Sequence, residues 1–191
     1  MNRFRTLAFN KPYGVLSCFT DPQGRPTLAG YVPISGVYAA GRLDFDSEGL
    51  LLLTSDGKLA HRIMDPRQKL SKVYWVQVER IPDADARHQL QEGVLLSGRR
   101  TRPAQVSLLP DPPSLPPRPV PVRYRKSVPT AWISVTVREG QNRQIRRMTA
   151  AVGHPALRLI RVRIGPITLG NLQPGEWREL TEAEVDSLRA L

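Results

Sequence analysis

The sequence predicts an α+β fold, in which short strands and helices follow one another without a regular β-α-β repeat. Apolar runs separated by proline and glycine fill residues 5–60 and indicate strands, and four further segments carry helix start and stop signals. The 191 residues are enough for one substantial domain or for two small subdomains that share a core. No apolar run approaches the roughly 18–20 residues that would cross a bilayer, so we expect no membrane association.

The first third of the chain holds four strand-like runs, TLAFN, GVLSCF, GVYAAG and GLLLLT. Between the second and third runs, residues 21–36 are rich in turn formers and predict an exposed loop. The segment SDGKLAHRIMDP follows and predicts a short helix. We expect this helix to be entered through Ser55 or Asp56 and stopped by Pro66.

The middle of the chain predicts a strand, a helix and an irregular connection. KVYWVQVERI alternates sufficiently for a strand, and PDADARHQLQEGV predicts a helix with Gly93 near its end. Residues 110–121 contain seven prolines, which cannot pair in a central strand and predict an extended surface connection. A Pro-rich docking peptide is the alternative interpretation.

The last third predicts a strand, TAWISVTVREG, and then a helix, NRQIRRMTAAVG, with Asn142 as N-cap and Gly153 at its far end. The segment RLIRVRIGPITLG follows. In LTEAEVDSLRAL, Thr181 and Glu184 have the spacing of a capping box, which predicts a terminal amphipathic helix.

The charge of the chain favours an acidic partner, since the formal net charge is +11 and the pI is near 10.6. Only five of the 28 basic residues are lysine, and arginine both pairs bidentately with phosphate and stacks on bases. A GC-rich genome that encodes arginine in place of lysine is the alternative explanation. The N-terminus lacks signal-peptide features and Cys18 cannot form an internal disulfide, so we expect a cytoplasmic protein.

The densest basic segment, residues 138–163, includes the predicted helix near residue 143. Helical spacing directs four of its residues toward a core: Ile145, Met148, Thr149 and Val152. Arg143, Arg146 and Arg147 have the same spacing and form a basic stripe beside that face. The stripe is either a solvated charged face or a functional surface that contacts RNA phosphates or belongs to an active site, and mutual repulsion of three arginines favours the functional interpretation.

Three carboxylates, Asp44, Asp46 and Glu48, precede the apolar run GLLLLT. In an extended chain they project to one side, where they could bind Mg²⁺ or form the polar edge of a loop. The absence of a His/Cys ligand set and of another acidic motif makes the metal hypothesis the weaker one. A third interpretation gives Asp44 direct chemistry: a carboxylate beside an arginine stays charged and can act as a nucleophile or base.

These segments resemble a known family over almost the whole chain. GRLDFDSEGLLLLTSDG is similar to the sequence around the catalytic aspartate of the RsuA-type branch of ribosomal RNA pseudouridine synthases. FNKPYGVLS resembles the opening motif of that branch, KVYWVQV its Lys-x-Tyr strand, and residues 139–170 its C-terminal signature. Many members begin with an S4 RNA-binding domain; we expect none here, and the closing LQPGEWREL is most similar to large-subunit members.

The resemblance implies roles for four residues. Asp44 would be the catalytic aspartate acting on a flipped uridine, and Arg42 would hold the loop of Asp44 and nearby phosphate. Tyr74 would pack against the target base, although the same residue taken alone is more often part of a strand core. Arg146 would be the basic partner of Asp44; taken alone, it could be a surface cation.

Five further residues are implied in substrate and RNA binding. They are Lys72, Arg143, Arg147, Leu159 and Ile160. Lys72 is nearly as well explained as a plain edge-strand lysine. Either Leu159 or Ile160 would complete the apolar wall of the pocket, and the sequence does not decide between them.

The resemblance also implies an architecture and a substrate. The expected pseudouridine synthase fold has a mixed, mainly antiparallel sheet flanked by helices, with two subdomains around a central basic cleft. Within a catalytic domain of residues 1–191, one subdomain would contain about 1–65 with the C-terminal helix, and the other about 66–175. The partner would be 23S rRNA, the protein a monomer, and the reaction free of metal and cofactor. A non-catalytic RNA-binding or ribosome assembly protein and a synthase for small-subunit rRNA are the alternatives.

Overall fold

A computed structural model describes residues 4–122, 125 and 127–190. The strands are β1 (Thr6–Lys11), β2 (Tyr38–Ala39), β3 (Glu48–Thr54), β4 (Lys72–Glu79), β5 (Leu95–Leu96), β6 (Arg99–Arg100), β7 (Gln105–Leu108), β8 (Thr130–Val137), β9 (Ala156–Ile164), β10 (Ile167–Thr168) and β11 (Trp177–Glu179). The helices are α1 (Gly57–Met64), α2 (Ala84–Glu92), α3 (Gln144–Ala151) and α4 (Glu182–Arg189). Residues 1–3 and 191, included in the predicted domain, lie outside the described residues.

The chain divides into two compact units. One comprises Met1–Leu70 with Arg161–Leu191, and the other comprises Ser71–Ile160. Each unit combines strands with helices, so the predicted α+β class is confirmed. Residues 161–175, which the sequence assigns to the second subdomain, belong to the first unit in the structure.

The first unit is organised around β1 and β3. Strand β1 pairs antiparallel with β3 on one side and with β11 on the other. All seven residues of β3 are buried, as its four consecutive leucines predict. Because side chains alternate along a strand, Leu51 and Leu53 point into one core cluster with Leu7 and Phe9.

One strand prediction for the first unit is wrong, whereas the loop prediction is confirmed for most of its residues. GVLSCF forms no strand, because its hydrogen bonds go to two loops. Gly14 N donates to the Phe45 carbonyl and Ser17 Oγ bonds to the main chain of Leu43, whereas Leu16 N donates to the Pro26 carbonyl. The loop 21–36 is mostly exposed but not entirely so. Three of its residues are buried in the core of the unit: Leu28, Val32 and Ile34.

The helices of the first unit begin at side-chain caps. Asp56 caps α1 by accepting hydrogen bonds from the amides of Lys58 and Leu59, so the second of the two predicted entry residues is the cap. The predicted capping box of Thr181 and Glu184 is present at α4.

The second unit contains the sheet β4–β8–β7, in which neighbouring strands are antiparallel. Its core combines Val76 and Val78 of β4 with Leu90 of α2 and with Ile145 and Met148 of α3. The predicted core face of α3 is therefore confirmed for the two apolar residues at its centre. Val152 packs against the same cluster, just beyond the end of the helix.

Helix α3 does not begin as predicted. Its N-cap is Arg143 rather than Asn142, and no side chain caps it. Arg143 adopts a left-handed backbone conformation, with φ of 49°. Its neighbour Gln144 bonds instead to the turn ahead of the helix, accepting from Gln141 N at 3.0 Å and donating to Glu139 at 2.6 Å. These bonds hold the turn that precedes α3, whereas the N-cap residue makes no side-chain hydrogen bond to the amides of the helix.

The Pro-rich residues 110–121 form no helix or strand, as predicted. A hydrogen bond joins this segment to the sheet: the guanidinium of Arg158, which is buried on β9, donates to the Pro116 carbonyl at 3.0 Å. This bond attaches to the sheet a proline-rich segment that cannot form the hydrogen bonds of a β-ladder.

We predict that Gly93→Ala destabilises the protein far more than Gly98→Ala. Both glycines have positive φ, so both substitutions strain the backbone; at Gly93, where φ is 95° and ψ is 144°, the strain is about 1–3 kcal/mol. Only at Gly93 would the new Cβ also lie 2.3 Å from a main-chain atom, the Thr101 carbonyl oxygen. Urea denaturation measures the free energy of unfolding of each variant; equal losses would contradict the close approach at Gly93.

Candidate functional site

The predicted catalytic residue Asp44 lies in a tight turn immediately before β3. The amide of Ser47 donates to the Asp44 carbonyl at 3.0 Å, so Phe45 and Asp46 occupy the centre of the turn. Asp44 is half-buried, Arg42 is exposed and Leu43 is buried. The sequence therefore folds so that a buried leucine anchors the loop and a carboxylate follows it at the surface.

The turn is bound on one side to the segment that follows β1. Gly14 N donates to the Phe45 carbonyl at 2.9 Å. Ser17 Oγ bonds to both main-chain groups of Leu43, at 2.9 Å to the carbonyl oxygen and 3.0 Å to the amide. These three bonds fix the main chain on both sides of Asp44.

A buried arginine holds the other side. Arg161 donates from Nε to the Leu50 carbonyl at 2.8 Å and from Nη1 to the Arg42 carbonyl at 3.3 Å. Its side chain therefore connects β3 with the start of the turn. Its Nη2 is buried and has no hydrogen-bond partner among the described residues. Sequence reasoning missed Arg161, because a basic residue in a strand is normally expected to face solvent.

A second buried cation, Lys11, lies close to the acidic turn. Its ammonium is fully buried and donates to the carbonyls of Pro12 at 2.9 Å and Val15 at 2.7 Å. Burial lowers the pKa of Lys11 from 10.5 to about 8. The carboxylates of Glu48, Asp46 and Asp44 oppose this effect by stabilising the ammonium, whereas Arg161 adds to it. The negative charges of the turn are thus compensated by a buried cation of the same unit.

A turn replaces the extended chain between Asp44 and Ser47, so strand alternation does not apply to the three carboxylates, although all three interact with Lys11. Glu48 begins β3 and is buried, whereas Asp44 and Asp46 are half-buried. Across the described part of the chain, no three His, Cys, Asp or Glu side chains are grouped in a way that could hold a metal ion.

The second unit carries the predicted base-stacking residue. Tyr74 is half-buried on β4 and packs against the core cluster that includes Leu159. Ile160 is also buried, but as the next residue on β9 it points to the opposite face of the strand. Lys72 is half-buried, two residues before Tyr74 and on the same face of β4.

The three arginines of the basic stripe differ in their burial and in their hydrogen bonds. Arg146 is half-buried and donates from Nη1 to the Ala156 carbonyl at 3.1 Å. Arg147 donates to Ser97 Oγ at 2.7 Å, which connects α3 with the β5–β6 hairpin. Arg143 is exposed. The arginines of one helix therefore extend from the buried edge of β9 to the surface.

A pocket of about 270 Å³ lies elsewhere in the second unit, beside α2 and the β5–β6 hairpin. Its lining includes His88, Glu92, Leu95 and Arg100. None of the residues predicted for catalysis contributes to it. We therefore place the candidate site at the acidic turn and not at this pocket, because the turn holds the predicted catalytic residue, Asp44.

A comparison with known protein families identifies the class to which this chain belongs. The model of the RNA pseudouridylate synthase family matches residues 5–151. The chain belongs to this family of isomerases, and it is an enzyme of the pseudouridine synthase class. The expected family is thereby confirmed.

Two curated relatives and one solved structure show which members of the family the chain resembles. The chain is 58% identical over 187 residues to ribosomal large subunit pseudouridine synthase E of Xanthomonas campestris, covering 97% of each chain. It is 51% identical to the protein of that name from Vibrio parahaemolyticus, covering 92% of this chain and 74% of the relative. A crystal structure of a pseudouridylate synthase matches with a TM-score of 0.82 at 30% identity, covering 98% of this chain and 75% of that one, which confirms the predicted fold.

No helix among the described residues combines the length and apolarity that a membrane crossing requires.

We predict that the free energy of unfolding of the wild type rises between pH 8 and 10.5, and that Lys11→Met removes this rise. In that window the unfolded chain retains a proton that folded Lys11 has released, so the free energy of unfolding increases with pH, by up to about 3 kcal/mol. Below pH 8 both states are protonated and Lys11 contributes no slope. Denaturant titrations from pH 7 to 10.5 measure the effect.

The matched control is Lys58→Met, which removes an exposed lysine of α1 and should reproduce the wild-type pH dependence. Parallel curves for the wild type and Lys11→Met would show that Lys11 is not perturbed by burial.

Proposed function

We propose that this protein isomerises a specific uridine of 23S large-subunit rRNA to pseudouridine, with Asp44 as the catalytic carboxylate. The 58% identity to a large subunit synthase E over nearly all of both chains is the observation that carries the substrate class. We further propose that the protein acts in the cytoplasm as a monomer.

The reaction requires little beyond a positioned carboxylate. The bond between uracil and ribose breaks, the base rotates, and a bond forms between the ribose and a ring carbon. The hydrogen lost from that carbon is balanced by one gained at a ring nitrogen, so composition and oxidation state are unchanged. Attack on the base, attack on the sugar and removal of a ribose proton all require one ionised group, which Asp44 supplies.

The geometry of the turn supports this role. Hydrogen bonds hold the main chain before and after Asp44, while its carboxylate remains half-buried and not enclosed. A group held in this way loses little freedom when the substrate binds, which favours reaction. Two nearby buried cations, Lys11 and Arg161, support a negative charge on the turn.

For the second unit we propose the roles that the sequence motif implies. Tyr74 would stack on the flipped uracil, and Arg146 would act as the basic partner in catalysis. Leu159 is favoured over Ile160 as the apolar wall beside Tyr74, because Leu159 shares a core cluster with it. Lys72, Arg143 and Arg147 of this unit would contact RNA phosphates, as would Arg42 of the first unit.

The decisive experiment maps pseudouridines in 23S and 16S rRNA from cells with and without the gene. We expect loss of one or a few sites in 23S rRNA only. Loss confined to 16S rRNA would favour a small-subunit substrate, and no loss in either would favour a non-catalytic RNA-binding protein.

We predict that Asp44→Asn fails to restore the missing pseudouridine in such cells, because an amide can neither attack nor accept a proton as the carboxylate does. Its RNA affinity and thermal stability should remain near wild type. The matched control, Asp46→Asn, removes the same charge from the centre of the same turn and should restore modification. Normal modification by Asp44→Asn would refute the assignment.

We predict that the double change Arg143→Ala and Arg147→Ala weakens RNA binding and flattens its salt dependence. Two fewer phosphate contacts should lower the slope of log affinity against log salt by about 1.5. Arg67→Ala is the control, since this exposed arginine already pairs with Asp65 at 2.8 Å. A slope unchanged from wild type in the double variant would count against phosphate contacts at α3.

A further inference from the structure

An aromatic side chain is exposed next to the proposed catalytic carboxylate. Phe45 follows Asp44 directly and is 41% exposed, whereas Phe9 of β1 is fully buried in the same unit. A large apolar ring normally lies in the core, where it is removed from water. Several other large apolar side chains of the described residues are exposed, but Phe45 is the one that adjoins Asp44.

Hydrogen bonds of the main chain hold Phe45 at this surface position. Its carbonyl accepts the 2.9 Å hydrogen bond from Gly14 N, and the turn is closed by the bond between Ser47 N and the Asp44 carbonyl. The ring extends toward Gly14, since its Cζ lies 3.9 Å from the point that a Cβ of that glycine would occupy. The ring is thus presented from a fixed turn.

Consecutive Cα atoms are about 3.8 Å apart, so RNA that reaches the carboxylate of Asp44 also comes within reach of the Phe45 ring. A uridine that reacts must leave its stack, and this leaves a neighbouring base without a stacking partner. Aromatic side chains bind unstacked bases through the π-face that every base possesses.

We propose that Phe45 stacks on the RNA base adjacent to the target uridine and holds it while the uridine is flipped. The inference rests on the proposed function, since it requires RNA at Asp44. It makes Phe45 a substrate-binding residue that recognises a base by its ring face and not by hydrogen bonds.

The test uses a short single-stranded oligouridine with one internal 2-aminopurine, whose fluorescence reports stacking. We expect Phe45→Ala to weaken binding about tenfold and to alter the fluorescence of the bound probe. Phe45→Tyr should restore both properties because it keeps the ring. Phe45→Leu should not restore them, because it keeps apolar volume without a π-face.

The matched control is Tyr38→Ala, which removes another exposed aromatic residue of the first unit, on the short strand β2. It should leave binding and fluorescence unchanged. The proposal is overturned if Phe45→Ala matches the wild type, if Phe45→Leu does so, or if Tyr38→Ala has the same effect as Phe45→Ala.

The readout needs no turnover, so it separates this inference from the proposed function. If rRNA from cells lacking the gene retains every pseudouridine, the proposed function fails whatever the probe shows. If the rRNA loses a site but the probe does not distinguish Phe45→Ala from the wild type, only the stacking role fails.

Discussion

Two buried cations organise the first unit around its acidic turn. Lys11 and Arg161 direct their hydrogen bonds mainly to main-chain carbonyls, and two of these flank the turn that carries Asp44. Burying such groups costs several kcal/mol each, and carbonyl acceptors together with nearby carboxylates offset that cost. The result is a fixed main chain with a carboxylate and an aromatic ring at its surface, which is the preorganisation that a binding or catalytic site requires.

The second unit presents positive charge from an equally fixed element. The apolar side of α3 lies in the core, and Gln144 bonds to the turn that precedes the helix. Arg146 and Arg147 then reach in different directions from one rigid helix, each with a defined hydrogen bond. Sequence periodicity identified this stripe, but did not indicate Gln144, whose burial follows from the turn.

The local features of the fold were predicted well and the non-local ones were not. The buried strand β3 and the capping box at α4 were correct, because a leucine run and a Thr-x-x-Glu spacing act within a few residues. GVLSCF resembles a strand, yet its hydrogen bonds go to two loops, one of them about 30 residues away. Asn142 is a good cap in isolation, but the bonds of Gln144 decided where α3 begins.

The sequence by itself predicted the family, which the comparisons confirm, and it supplied the proposal that Asp44 of GRLD is catalytic, because both depend on residue identity and spacing. Only the tertiary structure decided that Lys11 and Arg161 are buried and that Phe45 is not. Burial depends on atoms supplied from elsewhere in the chain. The two carbonyls that bind Arg161 belong to Leu50 and Arg42, which precede it in the sequence by 111 and 119 positions. No local pattern encodes such a pairing.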